Sequence, residues 1–173
     1  CTMVAKPASQ TPLAALALAQ LAEEAGVPPG VFSVVTGSAG VIGDIVTKSS
    51  VVRKISFTGS TEVGVRLMAQ SAPTIKRLSL ELGGNAPLLI FDDADLATAV
   101  DAVMVAKFRN CGQSCIAANR IYVQKGIYDA FVESFAKRIG AMKLGDGLEA
   151  DTDIGALIDE KAVEKVEEFI ADA

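Results

Sequence analysis

Short β-rich runs that end in glycine- or serine-containing turns and hand over to helical stretches recur along almost the whole of this 173-residue chain. No other feature constrains the fold as much. Strands separated by helices pair in parallel, because a parallel connection needs a crossover long enough to carry a helix. The expectation is an α/β fold with parallel sheets covered on both faces and ligands gathered at the carboxyl ends of the strands. The strands read as Met3–Ala5, Val31–Val35, Lys54–Thr58, Ile75–Leu82, Pro87–Phe91 and Arg120–Val123. The first helix is expected to be capped by Thr11, with Pro12 in its first turn, and to run to about Ala25 with Gly26 as its terminator. Others read to about Ser49, from Leu96 to about Arg109 with Asp93 as cap, from Ile127 to Met142 with Phe131, Phe135 and Ile139 on one face, and from near Asp159.

Two turns invite a phosphate. The sequence from Gly37 to Gly43 follows a strand and opens a helix, but its pattern is G-x-x-G-x-x-G and the acidic residue of a dinucleotide fingerprint is missing, so an ordinary Rossmann reading is weak. The turn from Thr58 to Gly64 presents N–H groups and hydroxyls that suit a phosphate or, equally, a Ser/Thr-capped helix start. Glu81 is the one acid in an apolar strand, which reads either as a paired structural carboxylate or as a base tuned by burial.

The segment Phe108–Arg120, FRNCGQSCIAANR, breaks a helical pattern with a small, polar, glycine-containing stretch that carries Cys111 and Cys115. A thiol there is open to a substrate; both cysteines also read as plain loop residues. The chain has three cysteines and no histidine. A disulfide framework, a zinc site and any Cys–His or Ser–His couple within these residues are therefore disfavoured or excluded, and thiol chemistry must find its base elsewhere, with carboxylates the obvious candidates. A net charge of −5 with scattered cations leaves no footprint for nucleic acid or anionic membrane, and no apolar run reaches membrane length. Few cysteines and no secretory signal point to the cytoplasm.

The motifs KPASQTP (Lys6–Pro12), FTGSTEVG (Phe57–Gly64), LELGGNAP (Leu80–Pro87) and FRNCGQSCIAAN (Phe108–Asn119) resemble, in order, those of the aldehyde dehydrogenase superfamily, and the likeness extends over essentially the whole chain. Within it, the wording is most similar to the bacterial NADP-dependent succinate-semialdehyde enzymes. The resemblance implies a Rossmann-like cofactor-domain portion, residues 1–84, joined to an α/β catalytic-domain portion, residues 85–173. It implies Cys115 as nucleophile and Glu81 as general base, with Cys111 a neighbour at a variable position. It implies cofactor contacts at Lys6, Ser9, Gly59, Ser60 and Leu82, and Arg109 as the partner of the substrate's distal carboxylate. Family members that prefer NAD commonly carry glutamate at the Ser9 position. Serine beside the Lys6 cation accepts a 2′-phosphate instead, so NADP is the preferred cofactor and NAD the second. The implied reaction is oxidation of succinic semialdehyde to succinate. The glutarate homologue is the nearest alternative, and a cofactor-binding fragment without turnover is the alternative of another class. Family subunits are far longer and form homo-oligomers, so the chain reads as a segment of a subunit.

Overall fold

The residues that punctuate the sequence are where strands give way to helices. The structure, a computed structural model, describes residues 1–172. In order, the elements are β1 (Met3–Ala5), α1 (Leu13–Glu24), β2 (Phe32–Val34), α2 (Ala39–Lys48), β3 (Lys54–Gly59), α3 (Thr61–Ser71), β4 (Arg77–Leu82), β5 (Ala86–Ile90), α4 (Leu96–Phe108), β6 (Ala118–Val123), α5 (Tyr128–Gly140) and α6 (Glu160–Asp172). The chain separates into two compact units, Cys1–Leu82 and Gly83–Ala173.

In the first unit β1 pairs in parallel with β2, and β3 in parallel with β4 from Lys54 opposite Arg77 to Gly59 opposite Leu82. In the second, β5 pairs in parallel with β6. The parallel pairing follows from the alternation, but complete cover does not. Each sheet has two strands, β2 is half-buried rather than buried, and α1 contributes no buried residue, with Leu13, Leu18 and Leu21 all exposed. Two strands and a few helices cannot enclose both faces of a sheet.

Local chemistry explains the boundaries. Ser60 caps α3, its hydroxyl accepting the Val63 N–H at 3.3 Å. Helix α4 is capped by Asp95, not Asp93: its carboxylate accepts the Thr98 N–H at 2.9 Å, and hydrogen bonding to the Thr98 side chain first and its backbone N–H second holds the carboxyl below the usual aspartate range. Thr11 does not cap α1. The helix is entered through Pro12, already in the α region at φ −79° and ψ −24°, with no side-chain cap. Gly26 does terminate it, at φ +87°. Strand β4 begins at Arg77, two residues later than the alternation suggests. Ile75 takes a left-handed conformation at φ +50°, an outlier for a β-branched residue, and Lys76 turns its ammonium to the Ser49 and Val52 carbonyls.

The core of the second unit is formed by Ile90 of β5, Val100 and Val103 of α4 and Phe131 of α5, all buried, with Leu88, Ile121 and Val123 of the sheet packed against them. Phe131 stacks on Phe135 at 5.4 Å between centroids, and Phe108 meets Phe135 at 6.2 Å. Such pairs add about 0.5–1.5 kcal/mol beyond their buried area. The contact through Phe108 anchors the last residue of α4, where the cysteine segment begins.

Candidate active site

After Phe108 the chain leaves the helix in a tight 3₁₀ turn over Arg109–Gly112. Three consecutive residues are left-handed: Asn110 at φ +54°, Cys111 at +56° and Gly112 at +74°. Asparagine tolerates this conformation and glycine suits it, whereas cysteine carries a cost, so the turn is held by its surroundings. Asn110 Nδ2 donates to the Gln113 carbonyl at 2.9 Å. Gln113 Oε1 accepts the Ile158 N–H at 2.9 Å, and Cys111 Sγ donates to the Gly155 carbonyl at 3.7 Å. The loop before α6 thus braces the turn from one side.

Gly112 sits against the end of α4; a Cβ there would stand 3.0 Å from the Lys107 carbonyl oxygen. Lys107 reaches back to Asn119, its ammonium donating to Oδ1 at 2.8 Å. Both ends of the cysteine segment are therefore tied together. Cys115, just past the turn, is exposed; Cys111 is half-buried, and all three cysteines are free thiols. Arg109 is exposed and makes no ion pair or side-chain hydrogen bond among the described residues.

Glu81 lies on β4 opposite Thr58 of β3. Its side chain is exposed, so the apolar setting expected around it is absent within the first unit. Strand alternation separates the two faces of a sheet but does not say which one is covered. Cys115 belongs to the second unit and Glu81 to the first.

Lys6, Pro7, Ala8, Ser9, Pro12, Thr36 and Gly37 line a cavity of about 260 Å³. Lys6 Nζ lies 3.4 Å from the Ser9 hydroxyl and donates to the Pro7 carbonyl at 2.8 Å. An ammonium, a hydroxyl and small residues around such a space suit a ribose and an attached phosphate. Thr36 was not marked by the sequence, although the turn beginning at Gly37 was; Gly37 itself has a positive φ, +143°, which glycine adopts without strain. Glu81 does not line this cavity. Gly59, Ser60 and Leu82 lie elsewhere, at the carboxyl ends of β3 and β4 and the start of α3, and the side chain of Leu82 fills the space a Cβ on Gly64 would need. The Ser60 hydroxyl is engaged as a helix cap, the second of the two roles its turn suggested. No cluster of potential metal ligands and no helix long and apolar enough to cross a membrane occurs among the described residues.

Comparison with known proteins places this arrangement. Residues 1–173 match the aldehyde dehydrogenase family. The chain is 62% identical over its whole length to the NADP(+) succinate-semialdehyde dehydrogenase GabD of Escherichia coli and 61% identical to a glutarate-semialdehyde dehydrogenase of Pseudomonas aeruginosa, covering 36% of each. It superposes along its full length on the crystal structure of an Escherichia coli NADP-dependent enzyme with a TM-score of 0.98 at 62% identity, again covering 36% of that chain. The chain thus spans about a third of the length of the relatives it matches.

Proposed function

This chain belongs to the aldehyde dehydrogenase family, and on that premise we propose that the protein to which it contributes oxidises a carboxylate-bearing aldehyde to its acid with a nicotinamide dinucleotide as oxidant. The substrate is succinic semialdehyde and the preferred oxidant NADP. The observation that carries the reading is the exposed Cys115 thiol just past a braced left-handed turn whose first residue, Arg109, is an exposed cation with no ion pair among the described residues.

The residues divide the work as follows. Lys6 and Ser9 would hold the adenosine ribose and its phosphate, and Gly59, Ser60 and Leu82 the remainder of the dinucleotide, which supplies the hydride acceptor when bound. Arg109 pairs its planar guanidinium with the distal carboxylate of the substrate. The Cys115 thiolate adds to the aldehyde carbon and forms a thiohemiacetal, and its backbone N–H stabilises the oxyanion. Oxidation leaves a thioester on Sγ. Glu81 takes a proton from water, the hydroxide attacks the thioester carbon, and the carboxylic acid departs as the thiolate is restored. Glu81 is a carboxylate able to do so, and these 173 residues hold no histidine. Residues 1–84 are then a portion of the cofactor domain and 85–173 a portion of the catalytic domain.

Glutaric semialdehyde bears the same terminal charge and one more methylene, a difference worth only about 1–3 kcal/mol in a pocket, and a relative 61% identical carries the glutarate name. It is the second reading. The test is steady-state kinetics on the full-length protein with both semialdehydes and both NADP and NAD. Cys115→Ala is expected to abolish turnover and Cys111→Ala to retain it. Activity in Cys115→Ala, or a higher specificity constant with NAD than with NADP, would overturn the nucleophile or the cofactor assignment respectively.

A further inference from the structure

Strands β5 and β6 do not stay in simple register. Ala86 faces Ala118, but Pro87 faces Arg120, so Asn119 is an extra residue on β6. A bulge of this kind bends the strand and re-aims the neighbouring side chains, and such bulges concentrate near active sites. Here the redirection has two results. Asn119 turns its Oδ1 to the Lys107 ammonium, at the helix end that precedes the cysteine turn. Arg120 turns its guanidinium to the carbonyl of Asn85, donating from Nε at 3.0 Å and from Nη2 at 2.7 Å.

Asn85 closes a glycine-rich stretch. It follows Gly83 and Gly84, the first of which has open space where a side chain would be. Gly84 lies directly against the cysteine segment: a Cβ on it would stand 3.3 Å from the Cys115 carbonyl oxygen. Two glycines give that stretch large backbone freedom, and no side chain of theirs fixes the approach. The twin hydrogen bonds from Arg120 do so through Asn85. Because Arg120 lies on the same strand that leaves the cysteine segment, one guanidinium couples both sides of the Gly84–Cys115 contact.

We propose that Arg120 is a positioning residue for the Cys115 main chain, holding the Gly84–Asn85 segment against it so that the thiol and the Cys115 N–H keep their orientation towards a bound carbonyl. The proposal rests on the reading of Cys115 as the nucleophile. Arg120 touches neither substrate nor cofactor in this role, so its loss should act on kcat rather than on KM. An ångström of misplacement at a reacting centre costs up to about a hundredfold in rate.

The test compares R120M, which keeps the bulk of the side chain, and R120K, which keeps one donor, with wild type in the full-length protein, using succinic semialdehyde and NADP. Expected is a fall in kcat of roughly ten- to a hundredfold in R120M, partial recovery in R120K, KM within about twofold and an unchanged thermal midpoint. A kcat in R120M within about twofold of wild type overturns the proposal, as does a loss that only tracks a lowered midpoint. If R120M does not fold, R120K alone decides: a reduced kcat at a native midpoint supports the role, and a wild-type kcat refutes it. Wild type without aldehyde oxidation would instead overturn the functional reading, and Arg120 with it, so the two failures are distinguishable.

Discussion

Gly112→Ala is the substitution whose consequences follow most directly from the geometry. At φ +74° the left-handed conformation costs an L-residue about 1–2 kcal/mol. Replacing glycine also narrows the unfolded ensemble and returns about 0.4–1 kcal/mol. The balance is a loss of about 1 kcal/mol before any contact is counted. The contact adds to it, because the new Cβ would stand 3.0 Å from the Lys107 carbonyl oxygen, and a backbone carbonyl in the last turn of α4 cannot rotate away. The turn itself must yield by a few tenths of an ångström, and Cys115 follows it. In the full-length protein, G112A should lose about 1–2 kcal/mol in urea denaturation and roughly tenfold in kcat, with little change in KM. Gly140, the last residue of α5, has open space at its Cβ position and provides the control. G140A should be neutral or slightly stabilising, since alanine is the better helix former. Equal stability and equal kcat for the two variants would refute the reasoning about the turn.

Arg109→Ala should raise KM for succinic semialdehyde by roughly ten- to a hundredfold, the worth of a charge-assisted hydrogen bond, while leaving an uncharged aldehyde of similar length nearly unaffected; equal changes for both would remove Arg109 from the carboxylate site. The cap of α4 gives a pH-dependent prediction. Bonding to Thr98 lowers the carboxyl pKa of Asp95 in the folded state, so its stabilisation is present above the unfolded pKa and disappears as pH falls through the folded one. D95A should therefore lower the thermal midpoint at neutral pH and converge on wild type in acid, whereas D93A should differ little from wild type at either pH; the reverse pattern would contradict the cap assignment.

What could be read from the sequence was whatever depends on neighbouring residues. The handover at Gly59 and Ser60, the termination of α1 at Gly26 and the parallel pairing all follow from local composition and period. The errors arose where the local signal was degenerate. Asp92, Asp93 and Asp95 are all competent caps, and only the path of the chain out of β5 selects the last. The exposure of Glu81 depends on what covers one face of β4, which strand alternation leaves open. The bulge at Asn119 has no signature until the partner strand fixes which residue is extra, so the Arg120 contact to Asn85 was illegible. The left-handed Cys111 likewise depends on the tertiary brace from Gly155 and Ile158 rather than on its own preference. For the candidate site, then, the cysteine, the acid and the cation could be marked, but not the devices that hold the turn.

The central claim is that Cys115 carries the substrate as a covalent acyl group. Trapping by acid quench of the full-length Glu81→Gln variant, turned over with succinic semialdehyde and NADP, followed by peptide mass spectrometry, tests it directly. A succinyl adduct is expected on the peptide bearing Cys115, confined to that sulfur, because the thioester forms but its hydrolysis is slowed. An adduct on Cys111, or none on Cys115 in an enzyme that still reduces NADP through its first turnover, would contradict it.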